Sequence, residues 1–127
     1  GFMAQTGDIE YGNQKDFNPG RVGTGGSDLP DLKEEFNDIK HVKGTCSMAR
    51  AASPNSANSQ FFICFEPSPF LDGQYTVWGQ VIKGMEFVDK IKLGSSGNNG
   101  SVKDPDFMEK VSAGAKPVKK TKPADKK

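Results

Sequence analysis

Apolar residues along this chain come in short bursts separated by long polar, glycine-rich stretches. Most of the bursts carry the two-residue period of strands. Phe2–Gly7 predicts a short strand closing in a turn at Gly7-Asp8. Ile9–Gly26 is polar, rich in Gly and Asn, and reads as loop. Leu32–Phe36 predicts a short strand or a single helical turn. Gly44–Ala49 predicts a strand with Thr45, Ser47 and Ala49 on one face and Cys46 and Met48 on the other. Arg50–Ser59, around Pro54-Asn55, is a second loop. Ser59–Phe65 (SQFFICF) is the densest apolar run and predicts a central strand, apolar on both faces. On it, Phe61 and Ile63 are expected in the core and Phe62 on the opposite face. Pro67–Gly73 is a turn. Tyr75–Ile82 alternates as a strand, with Gly79 marking a bulge or a close approach. Gly84–Leu93 is the one segment with helical spacing, through Met85, Val88 and Ile91. Gly94–Pro105 is loop and Phe107–Val111 a last strand.

Several short strands, long loops and a single helix predict an antiparallel barrel or sandwich. Four or five short strands do not close a filled barrel, which takes about eight. The chain also opens in strand character at Gly1-Phe2-Met3-Ala4, without an initiator Met or a signal pattern. Both features lead us to expect further strands upstream. No internal repeat is visible.

Composition sharpens this picture. Leu, Ile, Val and Phe make up 26 of 127 residues, near the lower bound for folding, but the formal net charge is only +1 and nine of these are Phe. A folded, core-poor domain is expected over residues 1–114. The segment Ala115–Lys127 carries six Lys and one Asp, which leaves the body at −4. That tail is expected to be disordered and solvated, and nucleic acid is not expected as a partner, because aromatics do not interleave the lysines and the body is acidic. No run approaches the roughly 18 apolar residues of a membrane span. Cys46 and Cys64 are too few for a disulfide framework, and with one His too few for a usual structural zinc site.

Little chemistry is on offer. The Gly20–Gly26 loop lacks the Gly-Lys-Ser/Thr ending of a phosphate cradle and is read as plain loop. His41, among charged neighbours and without a nucleophile motif, is expected to be a surface or structural residue. Cys64 is expected to be a small core residue. No cofactor and no metal are implied, so any catalysis must proceed without nucleophile, metal or cofactor.

The strongest signal is a combination in fixed order: Phe2-Met3-Ala4-Gln5-Thr6-Gly7-Asp8, Gly23-Thr24-Gly25-Gly26, Ser47-Met48-Ala49, Pro54-Asn55, Ser59-Gln60-Phe61-Phe62-Ile63-Cys64 and Phe70-Leu71-Asp72-Gly73. Together these resemble the cyclophilins, the peptidyl-prolyl cis–trans isomerases, over roughly Gly1–Leu93. The variants SMARA and FLDGQYTVWG resemble the bacterial branch.

The resemblance implies a closed eight-stranded antiparallel barrel with two capping helices, here missing its N-terminal strands and first helix. It implies that Phe2, Met3, Phe62 and Leu71 line a socket for the substrate proline. Phe70 stands where many members have Trp, and Tyr75 where they have His. Gln5 is the polar, catalytic side chain beside the substrate backbone. Ala49, Arg50 and Ala51 form the edge along which the peptide lies, with the Arg50 backbone bonding to it. Gly23–Gly26 and Ala57-Asn58 border a neighbouring secondary pocket. Strict alternation cannot turn both Phe2 and Met3 into one socket, so a bend or bulge is expected at the start of their strand. The resemblance implies a peptidyl-prolyl cis–trans isomerase that speeds X–Pro rotation in peptides and unfolded proteins; because the principal Arg of the family's Phe-His-Arg motif falls four residues before Gly1, the alternative is a catalytically impaired proline-peptide binder. The implied partners are proline-containing peptides and unfolded proteins. Cyclosporin is expected to bind weakly, for want of the Trp indole. A monomer in the cytoplasm is expected, with the periplasm as alternative.

Overall fold

The computed structural model describes residues 1–114; the Lys-rich segment 115–127, and with it the expected tail, lies outside the described residues. Four short strands form one antiparallel sheet: β1 (Met3–Thr6), β2 (Thr45–Met48), β3 (Phe61–Cys64) and β4 (Val77–Gln80). Their order across the sheet is β1-β3-β2-β4. The SQFFICF run is an interior strand, as its apolar character on both faces predicts. It pairs with β1 through Met3–Cys64 and Gln5–Phe62, and with β2 through Cys46–Ile63 and Ser47–Phe62.

Between β2 and β4 the register slips: Cys46 faces Gly79, but Ser47 faces Val77. Trp78 is the extra residue, so the bulge expected at Gly79 sits beside it. The described strands leave the sheet open, with β1 and β4 as edges, and four strands are too few to close on themselves.

Three expected elements differ. The helix over Gly84–Leu93 is a single turn, α1 (Met85–Val88), followed by isolated turns. Phe87 and Leu93 are exposed, so this segment lacks the packed apolar face that sustains so short a helix. Phe107–Val111 is exposed and forms no strand, having no neighbouring strand to pair with. Of Leu32–Phe36, only Leu32 pairs, in an isolated bridge to Ala57.

The core lies on one face of the sheet. Phe62, Cys64 and Leu71 are buried together, with Phe2, Met3, Ala49 and Tyr75 packed around them. Leu71 is delivered by a single 3-10 turn, Pro69–Leu71, started by a proline at its first position. The burial on β3 runs opposite to expectation: Phe62 and Cys64 are buried, whereas Phe61 and Ile63 are only half-buried. The physical reason is that the 3-10 turn and Tyr75 cover the Phe62 face, whereas the partner identified for Phe61 is the half-exposed Trp78. Among the described residues, no helix is long and apolar enough to cross a membrane.

Candidate functional site

The expected socket residues do converge. Phe2, Met3, Ala49, Phe62, Leu71 and Tyr75 belong to one apolar cluster. Phe62 and Leu71, at 3% and 7% exposure, are buried at its centre, and the half-buried Phe2, Met3, Ala49 and Tyr75 pack against them. Tyr75 stands edge-on to Phe62 with ring centres 5.8 Å apart. Phe70 is exposed and meets Phe2 edge-on at 5.0 Å. Phe2 and Met3 share the cluster without a bulge in β1. The strand begins at Met3, so Phe2 lies outside its alternation and is anchored by its own carbonyl, which accepts the Phe65 N–H at 2.8 Å.

Gln5 is exposed on β1, across from Phe62. Its Nε2 donates to Gln60 Oε1 at 2.9 Å, and Gln60 Nε2 donates to the Gly25 carbonyl at 2.8 Å. The amide expected to meet a substrate backbone is thus braced by Gln60. Sequence reasoning misses this role of Gln60, whose one signal is its place in the SQFFIC run.

Ala49 touches the cluster, and its N–H bonds to Gln60 O at 3.1 Å. Ala51 is exposed, with its N–H held by Ser56 Oγ at 2.9 Å. That N–H is therefore already engaged, which leaves Ala51 as a shape element of the edge. The Arg50 guanidinium lies over the Tyr75 ring at 4.8 Å.

The Gly-rich loop is organised around Asp8. One carboxylate oxygen accepts the N–H groups of Glu10 and Tyr11, the other those of Gly23 and Gly25, at 2.7–3.0 Å. Burial by itself raises the Asp8 pKa, but these four donors outweigh it and hold the carboxyl below its ordinary 3.8. The Gly23 and Gly25 donors are thereby consumed, so the loop is no phosphate cradle. Gly26 passes directly against Asn58, whose Oδ1 accepts from Ser27 N–H at 2.7 Å. A cavity of about 260 Å³ lies beside this loop, lined by Ile9, Glu10, Gly26, Ser27 and Asp28.

His41 is structural, and more engaged than the sequence suggests. It is 1% exposed, with Nδ1 3.0 Å from Asp72 Oδ1 and Nε2 2.9 Å from Ser47 Oγ. Its backbone N–H also donates to Asp72 Oδ1, at 2.8 Å. A carboxylate only accepts, so Nδ1 carries a proton. The His41 N–H groups lower the Asp72 pKa. Ser, His and Asp are in line, but Ser47 is fully buried and beyond the reach of a substrate. Instead the imidazole stacks on Phe62, ring centres 6.0 Å apart and planes 15° from parallel, and so supports the cluster. The sequence signal is faint: one His before a strand and one Asp in a turn, thirty-one residues apart.

Cys46 and Cys64 are buried free thiols, and burial raises both pKa values, so neither is poised as a nucleophile. Among the described residues, no group of three or more His, Cys, Asp or Glu side chains is placed to hold a metal.

Comparison with known proteins places the chain in a family. Residues 1–113 match the model of the cyclophilin type peptidyl-prolyl cis-trans isomerase family. The chain is 60% identical over 112 residues to a probable peptidyl-prolyl cis-trans isomerase of Brucella abortus (strain 2308), covering 87% of this chain and 57% of that one. A peptidyl-prolyl cis-trans isomerase of Arabidopsis thaliana is 39% identical over 92 residues, covering 72% of this chain and 39% of that one. In fold, the crystal structure of a cyclophilin from Hirschia baltica superposes with a TM-score of 0.58 at 24% identity, over 74% of this chain and 50% of that one. The chain thus spans 57% of the length of its Brucella relative.

Proposed function

This chain belongs to the cyclophilin-type peptidyl-prolyl cis-trans isomerase family, and we propose that its apolar cluster receives the proline ring of peptides and unfolded proteins and eases rotation about the X–Pro bond. The observation that carries the reading is the convergence of Phe2, Met3, Phe62 and Leu71 on one site beside Gln5. The chemistry needs no covalent step. Unaided rotation is slow because amide resonance must be broken. Raising a rate from about 0.01 to about 100 s⁻¹ requires lowering the barrier by roughly 5–6 kcal/mol. In this proposal the cluster fixes the ring, and Gln5, braced by Gln60, bonds to the flanking backbone. The Ala49–Ala51 edge guides the rest of the peptide; the donor that favours the transition state by aiming at the twisted nitrogen is the role the family gives to its motif Arg.

The second reading, a proline-peptide binder with little turnover, is favoured by one observation. The chain has two arginines: Arg21 stacks on Tyr11 in the long loop, and Arg50 is engaged with carbonyls beside the cluster. Neither occupies the place of the motif Arg that serves as the principal donor in the family. We expect the chain to isomerise a proline peptide at least about a hundredfold more slowly than the full-length Brucella relative, while still binding it. A protease-coupled isomerisation assay on both proteins, with peptide titration by NMR, tests this. Equal rates would refute the role given to the motif Arg. Titration that leaves Met3 and Phe62 resonances unmoved would refute the proline socket.

The open sheet corresponds to part of a closed eight-stranded barrel with two capping helices; in support, the matched relatives are longer than this chain. Residues 1–114 act as one domain. The protein works as a monomer, in the cytoplasm rather than the periplasm, a setting that two buried free thiols support. Cyclosporin binds weakly, because Phe70 has no indole N–H to offer beside Phe2.

A further inference from the structure

Arg50 is firmly held beside the cluster. It is half-buried, and its guanidinium is fastened to backbone alone: Nε and Nη2 donate to the Gln74 carbonyl at 3.1 and 2.8 Å, and Nη1 donates to the Ala51 and Ala52 carbonyls at 3.0 and 3.2 Å. One face lies over the Tyr75 ring at 4.8 Å, and Phe36 lies 5.7 Å away. These partners orient the group without neutralising it. Among the described residues, no carboxylate comes within ion-pair distance of Arg50, whereas Lys43 is paired with Asp89 at 3.0 Å. Four of the five N–H donors are used, which leaves one Nη2 hydrogen and the full positive charge for a ligand. Tyr75, the ring beneath it, is also the ring that meets Phe62. The cation is therefore one aromatic ring removed from Phe62 of the proline socket. Adjacent Cα atoms of a peptide are about 3.8 Å apart, so a residue next to a seated proline, or one further on, comes within side-chain reach of it.

We propose that Arg50 is a specificity residue, which selects peptides carrying an acidic side chain within two residues of the proline. The inference rests on the proline-socket reading. A preoriented guanidinium loses little rotamer freedom on binding a carboxylate, which favours Glu or Asp over the isosteric amides. Because the site is partly open to water, the expected preference is modest, about fivefold for Glu over Gln at the best position.

The test uses the 127-residue chain and short alanine peptides with a single central proline. Glu, Gln or Lys is placed in turn at each of the two positions before and the two after the proline, and affinities are read by NMR titration at low and high salt. The expected result is a Glu-over-Gln preference of about fivefold at one position, shrinking at about 0.5 M salt. Arg50→Glu is expected to turn that preference into one for Lys. Equal affinity for Glu and Gln peptides at all four positions overturns the assignment of Arg50 while leaving the socket intact. A preference unmoved by salt overturns it too, and does so without any variant, should Arg50→Glu disturb the carbonyls it anchors. If no proline peptide shifts Met3 or Phe62, the socket itself fails, and this inference with it.

Discussion

The two faces of the sheet are built from the same kinds of residue and end in different states. On one face, Phe62 and Cys64 of β3 are covered by Leu71, Tyr75 and Met3, and the polar Thr45 and Ser47 among them are fully bonded. Among the described residues, no buried side-chain nitrogen or oxygen is left without a partner. On the other face, Phe61 and Ile63 are half-buried, and Trp78 is 54% exposed against Phe61. The difference lies in the chain that covers each face. The turn Pro69–Leu71 folds back over the first, and His41 pins it through Asp72. What distinguishes a site from a mere apolar surface here is therefore a second layer, tied down by a buried imidazole.

The covered face offers the severest test of this contrast. Phe62→Ala is expected to cost about 3–5 kcal/mol of folding stability, the usual effect of emptying a packed aromatic position, and to abolish proline-peptide binding. Urea unfolding and peptide titration measure both. A cost below about 1 kcal/mol would mean that the cluster is not the core. Next in size is Gly7→Ala. Gly7 has φ 97° and its added Cβ would run into the Ser59 carbonyl oxygen, so we expect a loss of about 2–3 kcal/mol. An unchanged urea midpoint would refute the tight crossing of β1 and β3.

Asp8→Asn removes the charge that collects four backbone donors and is expected to cost about 1–3 kcal/mol. The pH dependence has a definite sign. The Asp8 carboxyl titrates below its ordinary 3.8 in the folded chain, so its contribution is complete above that value. It fades as the pH falls through the folded pKa. The variant is therefore expected to differ most from the parent at neutral pH and to converge on it in acid. Amide exchange at Gly23 and Gly25 should quicken at the same time; exchange that stays slow would contradict the cage. Smallest of all is Trp78→Ala on the open face, expected to cost about 1–2 kcal/mol because half the residue already meets water. A loss as large as that of Phe62→Ala would erase the contrast between the faces.

Much of this is legible in the chain itself, for identifiable reasons. The alternation in GTCSMA places β2, and the dense apolar run of SQFFICF places β3 as an interior strand. The motif order groups Phe2, Met3, Phe62 and Leu71, and the fold gathers those four in one cluster. Less legible is Gly84–Leu93, whose helical spacing yields one turn because spacing supplies a face but not a neighbour to bury it. His41 is harder still. Its partners Ser47 and Asp72 approach it along different stretches of chain, and no local pattern announces such a meeting.

Residue identity at short range was enough to set the strand periods and the family, and to leave too few cysteines for a disulfide framework. Only the assembled fold settled which side of β3 became core, how Asp8 silenced the donors of the glycine loop, and that Arg50 would stand on Tyr75. Those outcomes depend on which distant segments come to share one desolvated surface, and burial and electrostatic pairing take their value only from that neighbourhood.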